Sequence, residues 1–157
     1  MIKHEVSAGG IVYKQVKSIE WLICQHSQHK GWVFPKGLVG DKKISNIKNQ
    51  KSKIKKQERE NLKDAALREV KEEGGVKAKI VAKLPKPVEY FYKFKGQLIK
   101  KTVYYYLMKY VSGDPKNHDW EMSQAKFLAE DEVKKTLTYK SDKEAFGEAL
   151  TILNSSS

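Results

Sequence analysis

Glu69, Glu72 and Glu73 form the sharpest chemical feature of the chain. On a helix, Glu69 and Glu73 are i, i+4 neighbours, and Glu69 and Glu72 are i, i+3 neighbours. The three carboxylates therefore converge near one face. Each like-charged pair costs roughly 0.2–0.5 kcal/mol when exposed, and the negative end of the helix dipole adds to that cost. Folding alone gives no reason for the placement. A hard divalent cation reverses the sign, because Mg2+ prefers carboxylate oxygens and keeps positions open for water and phosphate oxygens. Arg68, at i−4 from Glu72, can hold a carboxylate by a forked, charge-assisted contact. The competing reading is a solvated helix on which Arg68 and Lys71 are ordinary surface partners of the acids.

Positioning such a cluster requires a helix with a defined start and stop. Asn61 reads as its N-cap, with Asp64 three residues on. Leu62, Ala66 and Val70 give an apolar stripe, and Gly74-Gly75 gives the stop. Around the helix the pattern is mostly strand. Residues 6–13 read as a strand interrupted by Gly9-Gly10, marking a bulge or a close backbone approach. Residues 20–25 read as its hairpin partner. Residues 32–37 are extended, then turn at Pro35 and Gly37. After the helix, residues 76–84 alternate apolar and charged. Residues 88–94 and 98–111 are aromatic and β-branched, joined by a Lys95-Gly96-Gln97 turn. A short strand is expected at 124–128. Helices are expected at 131–137 and 141–153, the second capped by Ser141. Strands with one glutamate-rich helix between them and helices at the end make an α/β (α+β) sandwich, a mixed central sheet covered by helices.

The 157 residues fit one domain, 1–157. No apolar run approaches the ~20 residues that span a bilayer, and the start lacks the apolar core of a secretion signal. Cys24 is the only cysteine, which excludes an internal disulfide and points to a cytoplasmic setting. Net charge is +12. Residues 42–59 hold eight basic side chains and one acid, hence +7 of that total. The segment reads as a solvated loop, with a polyanion-binding arm that meets nucleic acid as the alternative.

Glu60, Arg68, Glu69, Val70, Glu72, Glu73, Gly75 and Val76 match, residue by residue, the second half of the signature of the Nudix hydrolase family. Ala8-Gly9-Gly10-Ile11-Val12 resembles the family's first strand, and residues 32–37 resemble the approach to its motif. The chain is thus identified as a member over most of its length, with the α/β/α sandwich of that family. One departure stands out. The family has five residues between the signature's glycine and its first glutamate. Here 22 residues, 38–59, follow Gly37, and the surplus is the basic insertion at about 42–59. Long surface insertions cost little in loop entropy. Gly40-Asp41 is an alternative end of that turn.

The resemblance implies a pyrophosphohydrolase that acts by attack of water on phosphorus. It implies Mg2+, with Mn2+ as a substitute, held by Glu69, Glu72, Glu73 and the Gly37 carbonyl. Arg68 would orient a glutamate, and Glu60 and Gly75 would be structural. Glu69 and Glu121, the latter just before the last strand, are the candidate bases. The closest resemblance is to the diadenosine polyphosphate hydrolase branch, carried by residues 100–107, 120–121 and 139–142. In that reading Tyr90, Tyr92, Tyr104 or Tyr106 stacks on adenine and Lys36 or Lys101 contacts phosphate. The substrate expected is a nucleoside polyphosphate such as diadenosine tetraphosphate. The alternatives are a 5′-triphosphorylated RNA, an inositol pyrophosphate, and a module that binds nucleotide or RNA without turnover. Oligomeric state is not read from the sequence.

Overall fold

The computed structural model describes residues 2–40 and 60–155. The basic insertion at 42–59 and Asp41 lie outside the described residues. Eight strands form one mixed sheet. The first four are β1 (Lys3–Gln15), β2 (Ile19–His26), β3 (Trp32–Val33) and β4 (Lys36–Leu38). Helix α1 (Leu62–Gly74) precedes β5 (Val76–Lys83), β6 (Val88–Phe94) and β7 (Gln97–Gly113). A 3-10 turn at Pro115–Asn117 leads to β8 (Met122–Ala129), α2 (Glu130–Thr136) and α3 (Lys140–Ser155).

The sheet runs β3-β2-β1-β7-β5, with β4 on β1, β6 on β7 and β8 on β2. β1 and β7 pair in parallel from Lys3↔Ile99 to Tyr13↔Lys109. The other pairs are antiparallel.

The middle strands are apolar on both faces, and that decides the layering. Ile11, Trp21, Ile23, Tyr105 and Leu107 pack with Val133, Leu137, Phe146 and Ala149 of the C-terminal segment. The residues between them, Val12, Leu22, Tyr106 and Met108, pack with Ala65, Ala66 and Val70 of α1. The sheet is therefore covered on both sides, as the sandwich reading expects.

Gly9-Gly10 is a close approach and not a bulge, since the β1–β7 register runs unbroken through it. A Cβ on Gly9 would lie 2.3 Å from the Pro35 carbonyl oxygen. A Cβ on Gly10 would lie 2.6 Å from Val70 Cγ2, so the glycines let α1 and the β3–β4 link press onto β1. The helix itself has the expected ends. Asn61 Oδ1 accepts the Asp64 N–H at 2.8 Å. Gly75, at φ 76°, closes the helix by donating its N–H to the Lys71 carbonyl.

Three local expectations need correction. Ser141 does not cap α3: the helix begins at Lys140, and the Tyr139 carbonyl takes the N–H groups of Asp142 and Lys143. The chain turns at Phe34-Pro35, and Lys36 and Gly37 are already in β4, because β4 pairs with Ser7, Ala8 and Gly9 of β1. The last strand begins at Met122, two residues earlier than expected, since β2 pairing extends to His26↔Met122 across a register shift. Among the described residues, no helix is long and apolar enough to cross a membrane.

Candidate active site

Helix α1 lies against β1 and β4 and turns its acidic face toward a cleft of about 860 Å3. The Arg68 guanidinium organises this face. Its Nε and Nη2 donate to the two oxygens of Glu60, each at 2.8 Å, as a parallel fork. Its Nη1 donates to Glu69 Oε2 at 2.7 Å and to Glu72 Oε1 at 3.2 Å. Nη2 also reaches the Leu38 carbonyl at 3.1 Å, which ties β4 to the helix. The Glu60 hydrogen bonds, chiefly, hold Arg68 charged well above its ordinary range.

Glu69 and Glu73 are both 7% exposed. Burial pushes Glu69 up to about 7, against the pull of Arg68. Burial pushes Glu73 up to about 8, although its Oε1 accepts the Lys36 backbone N–H at 3.1 Å. Glu72 is half-exposed at the helix edge. Gly37 fits closely over Glu69: a Cβ there would meet the carboxylate at 2.1 Å. Glu121 lies just before β8, its backbone N–H held by Asp119 Oδ1 at 3.1 Å. Burial, with the charges of Asp119 and Glu72, raises its carboxyl.

As the side chains stand, no three His, Cys, Asp or Glu groups among the described residues form a ready metal cage. The donor set nevertheless fits a hard divalent cation by chemistry and charge. It is all oxygen, two members are buried, and burial raises both of those despite the pull of Arg68 and Lys36.

The other wall of the cleft belongs to β6, β7 and the Lys36 strand. Lys36, Tyr90, Tyr92 and Lys101 all border it. Lys101 Nζ stands 3.6 Å from Glu5, which also accepts the Tyr92 hydroxyl at 2.6 Å. Burial pulls the Lys101 ammonium below its ordinary value. Tyr90 and Tyr92 share a strand face, with ring centroids 6.3 Å apart. Tyr104 and Tyr106 fall on the opposite face of β7 from the cleft. Tyr104 sits under the Lys83 ammonium, and Tyr106 is buried in the α1-side core. Neither borders the cleft, so the strand alternation separates them from the other two tyrosines.

The family model for the NUDIX domain matches residues 3–149. The chain belongs to the Nudix hydrolase family. Among solved structures, this Nudix chain is similar to a C. elegans Ap4A hydrolase binary complex, with TM-score 0.66 and 23% identity, covering 96% of this chain and 98% of that one. It is also similar to the NUDIX domain of Shewanella oneidensis NrtR complexed with ADP ribose, with TM-score 0.67 and 16% identity, covering 96% and 88%. A curated relative is the putative mutator protein MutT4 of Mycobacterium tuberculosis (strain CDC 1551 / Oshkosh), 26% identical over 144 residues that cover 87% of this chain. The matched region is 50% of that relative's length, so the Nudix chain spans about half of it.

Several residues in or around the Nudix cleft were given no role of their own in the sequence, although Tyr139 and Asp142 fall in the 139–142 segment that carries the branch resemblance. Asp119 holds Glu121 and also donates its N–H to the Glu72 carbonyl at 2.7 Å, which pins the β7–β8 connection to α1. Its place two residues before Glu121 was the available signal. Asp142, 5% exposed, accepts the Tyr105 hydroxyl at 3.3 Å. His26, His29 and Tyr139 complete the rim.

The raised carboxyls set a pH dependence. In the unfolded chain a glutamate titrates near 4.5, whereas Glu73 in the fold titrates near 8. As pH falls from 8 to 6.5 the folded state takes up protons first, so stability rises. Below about 6.5 the effect meets opposition from His26 and His29, whose depressed values favour the unfolded state as pH falls further. Metal-free protein should therefore melt roughly 2–8 °C higher at pH 6.5 than at pH 8, from about 1–2 kcal/mol. Added Mg2+ should raise the melting temperature more at pH 8, where protons compete less. Thermal melts at the two pH values, with and without Mg2+, check both signs.

Proposed function

We propose that this chain is a Mg2+-dependent hydrolase of a pyrophosphate bond in a dinucleoside polyphosphate such as diadenosine tetraphosphate. One observation carries the reading: a single cleft joins the buried α1 carboxylates on one wall to Lys36, Lys101 and the Tyr90–Tyr92 pair on the other. A phosphate chain needs cations, a nucleobase needs a flat apolar surface, and hydrolysis of an anhydride needs charge neutralisation at phosphorus. The C. elegans neighbour, an Ap4A hydrolase, supports the same substrate class.

In this reading Glu69, Glu72 and Glu73, with the Gly37 carbonyl, hold the divalent ion. Mn2+ would serve as a substitute. When bound, the ion polarises the phosphoryl oxygens and lowers the pKa of water. Arg68 fixes Glu69 through Oε2. Glu60 anchors Arg68, and Gly75 ends the helix so that the chain can turn into β5. Glu69 and Glu121 are the carboxylates that can take the proton from the attacking water. Lys36 and Lys101 hold phosphate oxygens, and Tyr90 and Tyr92 receive a base. The tyrosine pair favours a nucleoside over an inositol ring.

The test is to incubate the purified protein with diadenosine tetraphosphate, with and without Mg2+, and to separate the products. ATP plus AMP, formed only with the metal, is the expected result. No cleavage in the presence of Mg2+ would overturn the substrate and move the reading to 5′-triphosphorylated RNA or inositol pyrophosphates.

A further inference from the structure

Residues 76–113, which span β5, β6 and β7, hold nine basic side chains and one acid, hence a net charge of +8. Outside this segment and the insertion at 42–59 the chain is net negative. Lys101 belongs to the cleft. Strand alternation sends Lys83, Lys93 and Lys100 to the opposite face of the sheet, the face that α1 covers only in part.

The strand register lays out the uncovered part. Phe91 of β6, Lys100 of β7 and His4 of β1 form one row. Glu89, Thr102 and Val6 form the next, and Tyr104 follows beside Ala8. Phe91 is 56% exposed and Val6 is 42% exposed. The Lys83 ammonium lies 4.8 Å from the centre of the Tyr104 ring. Lys100 reaches Glu89 only at 3.9 Å. Among the described residues no ion pair engages Lys83 or Lys93. A groove of about 900 Å3 continues this face from His4 and Val6 to Leu62 and Lys63. Gly40 and Glu60, which flank the +7 insertion in sequence, border the groove.

Folding accounts for little of this pattern. Lysine on an edge strand discourages unwanted strand pairing, which explains Lys93 on β6. It does not explain Lys100, whose strand is paired on both sides, nor an exposed phenylalanine directly opposite it. A second copy docked about a two-fold axis would set these lysines against one another. The complementary partner is a polyanion that also carries flat apolar groups: phosphates for the ammoniums, bases for the rings. Tyr104 lies four residues beyond the Phe91–Lys100 row, roughly 13 Å along the strand. Each ring therefore takes its own base, which requires an unpaired strand. Between the rings, the Thr102 hydroxyl and the Glu89 carboxylate offer acceptors to a 2′-hydroxyl.

We propose that this face, on the far side of the sheet from the cleft, is a binding platform for single-stranded RNA. Phe91 and Tyr104 are its stacking surfaces, and Lys83, Lys93 and Lys100 contact phosphates. The platform is independent of which polyphosphate the cleft hydrolyses.

The test is fluorescence anisotropy of a labelled oligouridylate with a 5′-hydroxyl end, titrated with the full chain. Phe91→Ala should weaken binding about tenfold, because a stacking surface is lost. Phe91→Tyr should keep most of the affinity. Lys83→Gln combined with Lys100→Gln should flatten the slope of log affinity against log salt by about 1.4, or about 0.7 for each phosphate contact removed. Melting temperature and Mg2+-dependent turnover should not change in Phe91→Ala, since the side chain is exposed and outside the cleft. No binding by the wild type would overturn the platform. So would equal binding by Phe91→Ala, or an unchanged salt slope in the double lysine variant, because the RNA would then sit elsewhere on the chain. The matching deoxy oligonucleotide should bind several-fold more weakly, and an equal affinity would overturn RNA as the occupant. Binding to phosphatidylserine vesicles that is lost in Phe91→Ala would make the face a membrane surface and overturn it as well.

Discussion

Replacing Glu73 by glutamine should do two opposite things: lower Mg2+-dependent turnover about a thousandfold and raise the melting temperature at pH 8. The first effect follows from the loss of a charged donor to the divalent ion, whose stabilisation of developing charge is worth several kcal/mol. The second follows from where the carboxylate sits. Glu73 is 7% exposed, and burial pushes it up to about 8, so at pH 8 and above its charge works against folding. Glutamine has nearly the same shape, and its carbonyl can still accept the Lys36 N–H that Oε1 accepts now. The swap thus removes a buried charge without opening a cavity. Functional groups that cost stability are a common signature of active sites. The substitution should also flatten the rise in stability between pH 8 and 6.5. Paired measurements of turnover and of melting temperature check this. A variant that keeps its activity would remove Glu73 from the metal site, and one that melts lower at pH 8 would remove the electrostatic account.

Arg68→Ala is expected to destabilise the fold strongly. The guanidinium serves Glu60 by a two-bond fork, and also Glu69, Glu72 and the Leu38 carbonyl. The Glu60 side chain is only 3% exposed, and that of Glu69 only 9%. Removing one partner of such a buried pair costs about 3–5 kcal/mol, or roughly 6–20 °C in melting temperature for a chain of this size. Turnover should fall with it, since Glu69 loses the contact that orients it. The loss of stability should be smaller at pH 6 than at pH 8, because the carboxylates left behind can take up protons. Arg68→Lys should recover only part of the loss, since a single ammonium cannot reproduce the fork. Melting curves of both variants at the two pH values decide this. Equal stability of Arg68→Ala and the wild type would mean that the network is only a surface feature.

The carboxylate helix was legible because its chemistry is local. Asn61, the stripe of Leu62, Ala66 and Val70, and the glycine stop all lie within one element, and the i, i+4 geometry places Glu69 and Glu73 without tertiary information. The covered sheet was legible from the strand pattern and the helices around it. What the pattern could not supply was direction. Residues 103–108 are apolar on both faces of β7, so period-two alternation carries no sign there. Tyr104 was therefore grouped with Tyr90 and Tyr92, although it faces away from the cleft. The rim is nonlocal in a stronger sense. His29 meets Tyr139 across 110 residues, and Tyr105 meets Asp142 across 37. No spacing rule connects such pairs, and only the packing of α3 against the sheet brings them together. The Ser141 cap failed for a smaller reason. The Tyr139 carbonyl accepts the N–H groups of Asp142 and Lys143, so the helix starts one residue before Ser141.

In the proposed function the buried α1 carboxylates hold a hard divalent ion. The most direct test is a titration of the metal-free protein with Mn2+ at pH 8, in which the loss of the free-ion EPR signal reports binding. The wild type should bind Mn2+, Mg2+ should displace it, and Glu73→Gln should bind at least tenfold more weakly. Binding of equal strength by the wild type and Glu73→Gln, or no binding at millimolar Mn2+, would contradict it.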